Sequence, residues 1–189
     1  MPTPARKTER FLHFDSPAGY DDPIGMLLGC HRRIEKKLAT LKALSPHLAA
    51  KGVDAEASAA AQGVLRYFNA SAAYHHEDEE IDLLPLLLER VTDEGDRERL
   101  HAMDDRVRDD HREMARTWAR VKKPLEGIAD GLVRTIPETD VQAFLALNRR
   151  HIEAEEGVIV PLAQKWLTGD DLKALGRAMA TRRGAPFPS

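Results

Sequence analysis

One pattern of histidine, glutamate and proline occurs twice in the chain. The stretch HHEDEEIDLLP at residues 75–85 returns as HIEAEEGVIVP at residues 151–161, and both copies place a glutamate four residues and a proline ten residues after the first histidine. Side chains four residues apart share one face of a helix, and imidazole nitrogens and carboxylate oxygens are common ligands of metal cations. The candidate ligands are His75 and Glu79 in the first copy and His151 and Glu155 in the second.

A weaker repeat lies upstream of each copy. HRRIEKKLATL begins at His31, and HREMARTWARV begins at His111. The chain is therefore predicted to form two helical hairpins, in which one helix carries a lone histidine and the other carries a His-x-x-x-Glu pair. Four imidazoles and two carboxylates at matched positions make up the ligand set of a metal site.

The apolar residues around these histidines recur at steps of three or four, which is the period of an amphipathic helix. The predicted inward stripes are Ile24, Leu27, His31, Ile34, Leu38 and Leu41 in the first helix; Leu65, Phe68, Ala72, His75, Glu79, Leu83 and Leu86 in the second; Leu100, Met103, Val107, His111, Met114, Trp118 and Val121 in the third; and Phe144, Leu147, His151, Glu155, Val158, Leu162 and Trp166 in the fourth. All six polar side chains thus face the predicted core. Burying them without partners would cost several kcal/mol for each ion, and metal cations compensate this cost directly.

Each motif taken alone has an ordinary explanation. A single His-x-x-x-Glu pair is most often a surface ion pair worth a few tenths of a kcal/mol, and a single histidine on an apolar stripe is most often a satisfied core residue. Two equivalent repeats with matched prolines and four core-facing histidines favour a metal site instead. Its predicted ligands are His31, His75, Glu79, His111, His151 and Glu155.

The sequence leaves the roles of several neighbouring polar residues open. His76 lies one position off the stripe and is either a residue next to the ligands or one further ligand. The remaining glutamates of the two repeats are expected to be solvated or to orient the imidazoles: these are Glu77, Glu80, Glu153 and Glu156. His13, His47 and His101 are expected to take no part, because the first two fall in predicted loops and the third lies almost three helical turns before His111.

Composition limits the remaining classes of protein. The chain has 189 residues, enough for one domain with its own core. A formal net charge of -3 argues against broad attraction to nucleic acid or acidic membranes, and we find neither a membrane-spanning apolar run nor the apolar region of a signal peptide. One cysteine allows no intramolecular disulfide and suits a reducing compartment. We therefore expect a cytoplasmic protein without nucleic-acid or membrane partners, whose oligomeric state the sequence does not predict.

The expected fold is all-α, an up-and-down four-helix bundle with a short extra C-terminal helix and an irregular N-terminal arm. We place the arm at residues 1–20, the bundle at 21–168, and the C-terminal helix with its tail at 169–189. Ser45-Pro46 is expected to end the first helix. The matched prolines of the two repeats are expected to bend the second and fourth helices just past the metal site.

The repeated H-x-x-x-E-E…P phrases, each preceded by a helix with a histidine, resemble the hemerythrin-like, or HHE cation-binding, family over about residues 22–166. The resemblance implies a four-helix bundle that holds a non-haem di-iron centre. It implies as iron ligands the six residues predicted above, with both glutamates and an oxo or hydroxo group bridging the two irons. One feature departs from the oxygen-carrying members, whose third helix carries two histidines four residues apart. Here Val107 and Ala115 occupy the positions four before and four after His111, so more coordination positions would stay open.

Three functions fit this sequence. The first is binding or sensing of O2, NO or peroxide at the di-iron centre. The second is an enzyme of oxidative or nitrosative defence that turns over peroxide or NO at the same centre. The third is a bundle stabilised by zinc or iron without redox chemistry, because ligands of this type also accept zinc. Whether the protein catalyses a reaction stays open, and a ferritin-like oxidase is disfavoured because its Glu-x-x-His signature is absent.

Overall fold

The computed structural model describes residues 18–188, and within them it contains five helices and no strands. The helices are α1 (Pro23–Lys51), α2 (residues 55–90), α3 (Glu94–Ala129), α4 (residues 138–166) and α5 (Gly169–Arg182). Two of them contain π-helical turns: α2 consists of Ala55–Arg66, the π-turn Tyr67–Ser71, Ala72–Glu77, the π-turn Asp78–Leu83 and Leu84–Arg90, and α4 consists of Glu138–Ala154, the π-turn Glu155–Ile159 and Val160–Trp166. The all-helical class predicted from the sequence is confirmed. Most of the predicted arm at residues 1–20, with His13, lies outside the described residues.

The helices begin where the sequence offers a side chain that can cap free backbone N–H groups. Asp22 accepts a hydrogen bond from the backbone N–H of Gly25 at 2.9 Å, and Asp93 accepts one from Asp96 at 3.0 Å. Such caps satisfy donors that the first helical turn leaves unpaired, and each contributes about 1 kcal/mol. These local signals explain why α1 begins at Pro23 and α3 begins at Glu94.

The predicted end of α1 at Ser45-Pro46 is wrong, because the helix continues through Pro46 to Lys51. A proline inside a helix removes one backbone hydrogen bond. Leu44 and Leu48, on either side of it, are both buried in the core. Their packing stabilises the last turns of the helix and offsets the lost bond.

The π-turns in α2 and α4 shift the buried faces by one residue. In place of the predicted Leu86 and Val158, the structure buries Leu87 and Ile159. In the two π-turns that carry Glu79 and Glu155, a backbone N–H bonds to the carbonyl five residues back: Leu84 to Glu79, and Val160 to Glu155. Pro85 and Pro161 come next and lack the N–H that would continue the ordinary pattern. The matched prolines therefore act together with π-turns located at the two glutamates.

The core is divided into two apolar clusters by the layer that contains the histidines. Helix α1 packs against α2 and α4, and α3 packs against the same two helices. The first cluster includes Leu41, Val64 and Phe144, and the second includes Leu87 and Leu100. Both consist of buried apolar side chains, and burial of such side chains contributes about 25 cal/mol for each Å² removed from water. They leave the polar layer enclosed above and below.

Helix α5 packs across the start of α1, and a close backbone contact holds it there. A Cβ atom built on Gly176 would lie 1.9 Å from the carbonyl oxygen of Tyr20, so only glycine fits at this position. Leu175 and Met179 on the same helix are buried in the second cluster. Within residues 18–188, none of the helices combines the length and apolar character needed to span a membrane.

Candidate metal centre

The structure brings all six predicted ligands into one buried layer at the centre of the bundle. Their exposed fractions are 2% for His31, 1% for His75, 3% for Glu79, 6% for His111, 3% for His151 and 3% for Glu155. Helices α1 and α3 supply one histidine each, and α2 and α4 supply one His–Glu pair each. The local helical spacing thus presents these groups to the core, and the packing of the four helices brings them together.

The six side chains form two groups that share both carboxylates. His31 and His75 lie in the first group, and His111 and His151 lie in the second, while Glu79 and Glu155 belong to both. In each group one ligand atom from every residue lies within 4.8 Å of the others. Two adjacent cation-sized sites with shared carboxylates are therefore available in the core.

Each shared carboxylate turns one oxygen towards each group. Glu79 places Oε1 at 3.1 Å from Nε2 of His75 and Oε2 at 3.4 Å from Nε2 of His111. Glu155 places Oε2 at 3.1 Å from Nε2 of His31 and Oε1 at 3.1 Å from Nε2 of His151. A carboxylate with its two oxygens aimed at different groups has the geometry of a bridging ligand.

Several of these atoms are close to one another without forming hydrogen bonds. Among the buried polar atoms that lack a hydrogen-bond partner are Nε2 of His31, both ring nitrogens of His75, and Oε2 of both Glu79 and Glu155. Buried polar atoms are rarely left without a partner, because doing so costs about 1–3 kcal/mol each. Ligands about 2.1 Å from one metal ion and at right angles to each other lie about 3 Å apart. The donor types, their spacing and their missing partners all fit metal ions at this place.

Carboxylates outside the two groups bind the far nitrogens of the imidazoles. Nδ1 of His111 lies 2.6 Å from Oε1 of Glu80, and Nδ1 of His31 lies 2.9 Å from Oε1 of Glu156. A carboxylate accepts a hydrogen bond, so it selects the tautomer in which Nδ1 carries the proton. Nε2 then directs a lone pair towards the centre, as a metal ligand must.

A third carboxylate, Asp110 on α3, approaches His151 on α4. Its Oδ2 lies 3.6 Å from Nδ1 of His151, and neither atom has a hydrogen-bond partner. Arg150 donates a hydrogen bond of 2.6 Å to the other oxygen of Asp110, and Arg106 lies 3.6 Å from Oδ2. A separation of 3.6 Å is too long for a hydrogen bond. Glu80 and Glu156 therefore hold imidazoles of neighbouring helices, and Asp110 is a candidate for the same role towards His151.

The two imidazoles of the second group meet at their inner nitrogens. Nε2 of His111 and Nε2 of His151 lie only 3.1 Å apart. With Nδ1 of His111 donating to Glu80, its Nε2 is an acceptor, so this contact is a hydrogen bond when Nε2 of His151 carries the proton. With the proton of His151 on Nδ1 instead, both Nε2 lone pairs are free to bind a cation.

Burial and neighbouring charges shift the pKa values of several of the candidate ligands. Burial, followed by the charge of Glu155, raises the pKa of Glu79 well above its usual value. Burial, with the neighbouring His31, lowers the pKa of His75 well below its usual value. Burial also disfavours the charged form of His31, but its contacts with Glu155 and Glu156 outweigh this and raise its pKa. Burial of Glu155 is outweighed by its contacts with His151 and His31, which lower its pKa well below the usual value. A bound cation would favour the ionised carboxylates and neutral imidazoles that ligation requires.

We expect Asp110→Asn to weaken metal binding by about 10–100-fold, the usual effect of removing a carboxylate that orients a ligand histidine. The matched control is Asp109→Asn, because Asp109 is the adjacent residue and its side chain is 72% exposed beside Arg112. Affinity is measured by competition with a chelator. Equal affinities for the two variants would contradict the orienting role of Asp110.

His76 lies beside the second group without joining it. Its ring stacks on His111 with centroids 3.7 Å apart and planes at 14°, and it belongs to neither ligand group. Burial, with the neighbouring His111 and His151, lowers the pKa of His76 to about 3, so the ring is neutral at physiological pH. The structure therefore gives His76 a packing contact with a candidate ligand.

The third helix offers no further imidazole at the positions noted in the sequence. Val107 is fully buried in the second apolar cluster, and Ala115 faces solvent. The other glutamates divide as follows: Glu80 and Glu156 contact imidazoles, Glu77 contacts Arg182, and Glu153 is exposed.

The sequence did not predict a role for two candidate residues, Asp110 beside His151 and the fully buried Asp78. Asp110 directly precedes His111 in the charged run RVRDDHRE. No residue type or spacing in that run separates it from the exposed Asp109. Asp78 is equally inconspicuous among the acidic residues of the first repeat, and its partners come from the far end of the chain.

Helical packing with a buried layer of imidazoles and shared carboxylates defines an all-α bundle with a candidate metal site. Comparison with known families agrees, since the model described as the hemerythrin HHE cation binding domain matches residues 22–163. The chain belongs to this family. A protein from Haemophilus influenzae described only as "Uncharacterized protein" is 26% identical over 166 residues, which cover 88% of this chain and 92% of the relative.

Proposed function

We propose that the protein holds two non-haem iron ions in the buried layer and binds or senses O2 or a related small molecule, NO or peroxide, there. The observation that carries the proposal is the pair of carboxylates, Glu79 and Glu155, whose oxygens face two separate pairs of imidazoles. Membership of the HHE cation-binding family supports a metal role. Bound iron would supply a redox-active, oxygen-reactive centre.

The proposed ligands divide evenly between the two irons. His31 and His75 would bind one iron, His111 and His151 would bind the other, and the two glutamates would bridge them. Each iron would then have four protein donors, whereas iron in such nitrogen and oxygen sites takes about six. The remaining positions would be open to small molecules, which supports ligand binding in preference to a purely structural metal.

The protein side chains around the centre would keep the ligands in their binding form. Glu80, Glu156 and Asp110 would hold the protons of three imidazoles on Nδ1, leaving each Nε2 free to bind. The apolar clusters on both sides would exclude bulk water and admit only small molecules.

In this proposal residues 21–168 form an up-and-down four-helix bundle, since the short links between its helices favour antiparallel neighbours, and residues 169–189 add a helix and tail.

The test is metal analysis with an absorption spectrum of protein purified without oxygen, before and after exposure to air. We expect about two irons per chain and a new near-ultraviolet to visible band on oxidation. Zinc gives no such band, so a colourless protein that holds zinc and takes up no iron as apoprotein would overturn the proposal. A band that reverses when oxygen is removed indicates binding, whereas continued consumption of peroxide or NO indicates an enzyme.

A pair of adjacent histidines gives this experiment a matched control. His75→Ala removes a donor that faces Glu79 at 3.1 Å and is expected to reduce the iron content sharply. His76→Ala removes only a ring stacked on His111 and is expected to keep both irons. Wild-type iron content in His75→Ala would show that the ligands lie elsewhere.

A further inference from the structure

Asp78 in α2 is a fully buried carboxylate held by two arginines from the end of α5. Arg183 donates from Nη2 to Oδ2 at 2.6 Å and from Nη1 to Oδ1 at 3.0 Å, and Nη1 of Arg182 also donates to Oδ1. Asp78 has 0% of its surface exposed. An ionised carboxylate tolerates such burial when charged partners satisfy both of its oxygens. The two guanidinium groups fulfil this requirement.

Arg182 contacts the π-turn that carries Glu79 on both sides of that residue. The guanidinium of Arg182 that contacts Asp78 also donates to Oδ2 of Asp82 at 2.6 Å, and its Nε lies 3.2 Å from Glu77. Asp78 and Asp82 both belong to the π-turn Asp78–Leu83, and Glu79 lies between them. One guanidinium therefore ties two points of the turn on either side of the shared carboxylate.

Helix α5 is itself held firmly enough to act as an anchor. At its start Asp171 accepts a hydrogen bond of 3.1 Å from Nε of Arg90, and the capping box formed with Thr168 fixes the first turn. In its middle Gly176 packs against the backbone of Tyr20, and Met179 is fully buried. The helix begins beyond residue 163, where the match to the family model ends.

We propose that Arg182 and Arg183 are positioning residues that set the place of Glu79 in the metal centre through Asp78. This inference rests on the proposed function in so far as Glu79 must be a metal ligand. A π-turn bonds each N–H to the carbonyl five residues back and is frequent at functional sites. The arginine contacts with Asp78 and Asp82 act on the same turn that carries Glu79. Because Glu79 faces both pairs of imidazoles, a shift of the turn reaches both metal positions.

The proposal is tested with cobalt(II), whose absorption spectrum reports its ligand geometry and which needs no redox step. Cobalt affinity and spectrum are measured by chelator competition for the wild type, Arg183→Gln, Arg183→Lys and Arg177→Gln. Arg177 is the matched control, because it lies on the same helix and its guanidinium stacks on the ring of Phe187 instead of contacting α2. Folding of every variant is checked by circular dichroism.

We expect Arg183→Gln to weaken cobalt binding by about 10–100-fold and to shift the spectrum, as loss of contacts behind a metal ligand does. Arg183→Lys keeps the charge without the two-pronged donor and should recover part of the affinity, while Arg177→Gln should match the wild type. Wild-type affinity and spectrum in Arg183→Gln would overturn the proposal, even if the variant melts at a lower temperature.

The same measurements separate this inference from the proposed function. If Arg183→Gln does not fold, Arg183→Lys carries the test, and an affinity and spectrum equal to those of the wild type overturn the positioning role. If the wild type binds cobalt with the expected dependence on Arg183 but takes up no iron, the positioning role stands and the di-iron function fails.

Discussion

Glu155→Gln is expected to lose both metal ions, which is a larger effect than loss of any single histidine. The carboxylate faces Nε2 of His31 with one oxygen and Nε2 of His151 with the other, so it serves both ligand groups. The glutamine amide has one oxygen and carries no charge. It can serve one group only, and it removes a negative charge that offsets the two cations. Metal content per folded chain, measured after gel filtration, should fall from about two ions to near zero.

Glu153→Gln is the matched control for this prediction. Glu153 lies in the same repeat and on the same helix two residues earlier, but its side chain faces solvent. The substitution changes the net charge of the protein equally and should leave both ions in place. Equal metal loss in the two variants would point to a general charge effect, and retention of both ions in Glu155→Gln would show that this carboxylate is a ligand at neither position.

Removal of the metal ions is expected to lower the melting temperature by about 10 °C or more. Metal that binds only the folded chain stabilises it by about 4 kcal/mol for each site at a thousandfold excess over Kd. For a protein of this size, 1 kcal/mol shifts Tm by about 2–4 °C. Without cations the buried carboxylates and imidazoles lose their compensating charge. Differential scanning calorimetry of the chelated and reloaded protein measures the effect.

This stabilisation should disappear in acid. A metal-bound imidazole carries no proton on its ligand nitrogen, whereas each histidine of the unfolded chain titrates near 6.5. The unfolded state therefore binds more protons below about pH 6.5, and the stability gained from metal is present above that pH and is lost as the pH falls. In the metal-free protein the lowered pKa of His75 acts in the same direction and the raised pKa of His31 acts against it. The stability of the metal-free protein should therefore depend less steeply on pH.

Two controls complete this experiment. Reloading the chelated protein should restore the original Tm, and Glu155→Gln, which is expected to hold no metal, should melt at the same temperature with and without chelator. A wild-type Tm that is unchanged by complete metal removal would mean that the buried layer is satisfied in another way. The metal would then have no structural role.

The sequence alone predicted the parts of the site that lie within one helix. A histidine and a glutamate four residues apart share a helical face wherever the helix forms, so His75 with Glu79 and His151 with Glu155 were predictable as pairs. The apolar stripes also predicted that the lone histidines, His31 and His111, face the core, and the structure buries both. The repeated motif was specific enough to predict the family, which the comparison confirms.

Tertiary structure decided the contacts that run between helices. Glu80 and His111 are 31 residues apart, and His31 and Glu156 are 125 residues apart. Whether such side chains meet depends on the rotation and axial offset of two packed helices, which periodicity within one helix does not define. For the same reason the sequence did not distinguish buried Asp110 from exposed Asp109.

The π-turns and the contacts between α5 and α2 likewise could not be predicted from the sequence. A single extra residue in a turn moves the buried face from Leu86 to Leu87 and from Val158 to Ile159, and a fixed helical period cannot anticipate it. Arg183 meets Asp78 across 105 residues of chain. The sequence by itself therefore determined that the four histidines and two glutamates face the core, because helical periodicity is local. Only the packed structure decided which carboxylate holds which imidazole, because those distances depend on how whole helices fit together.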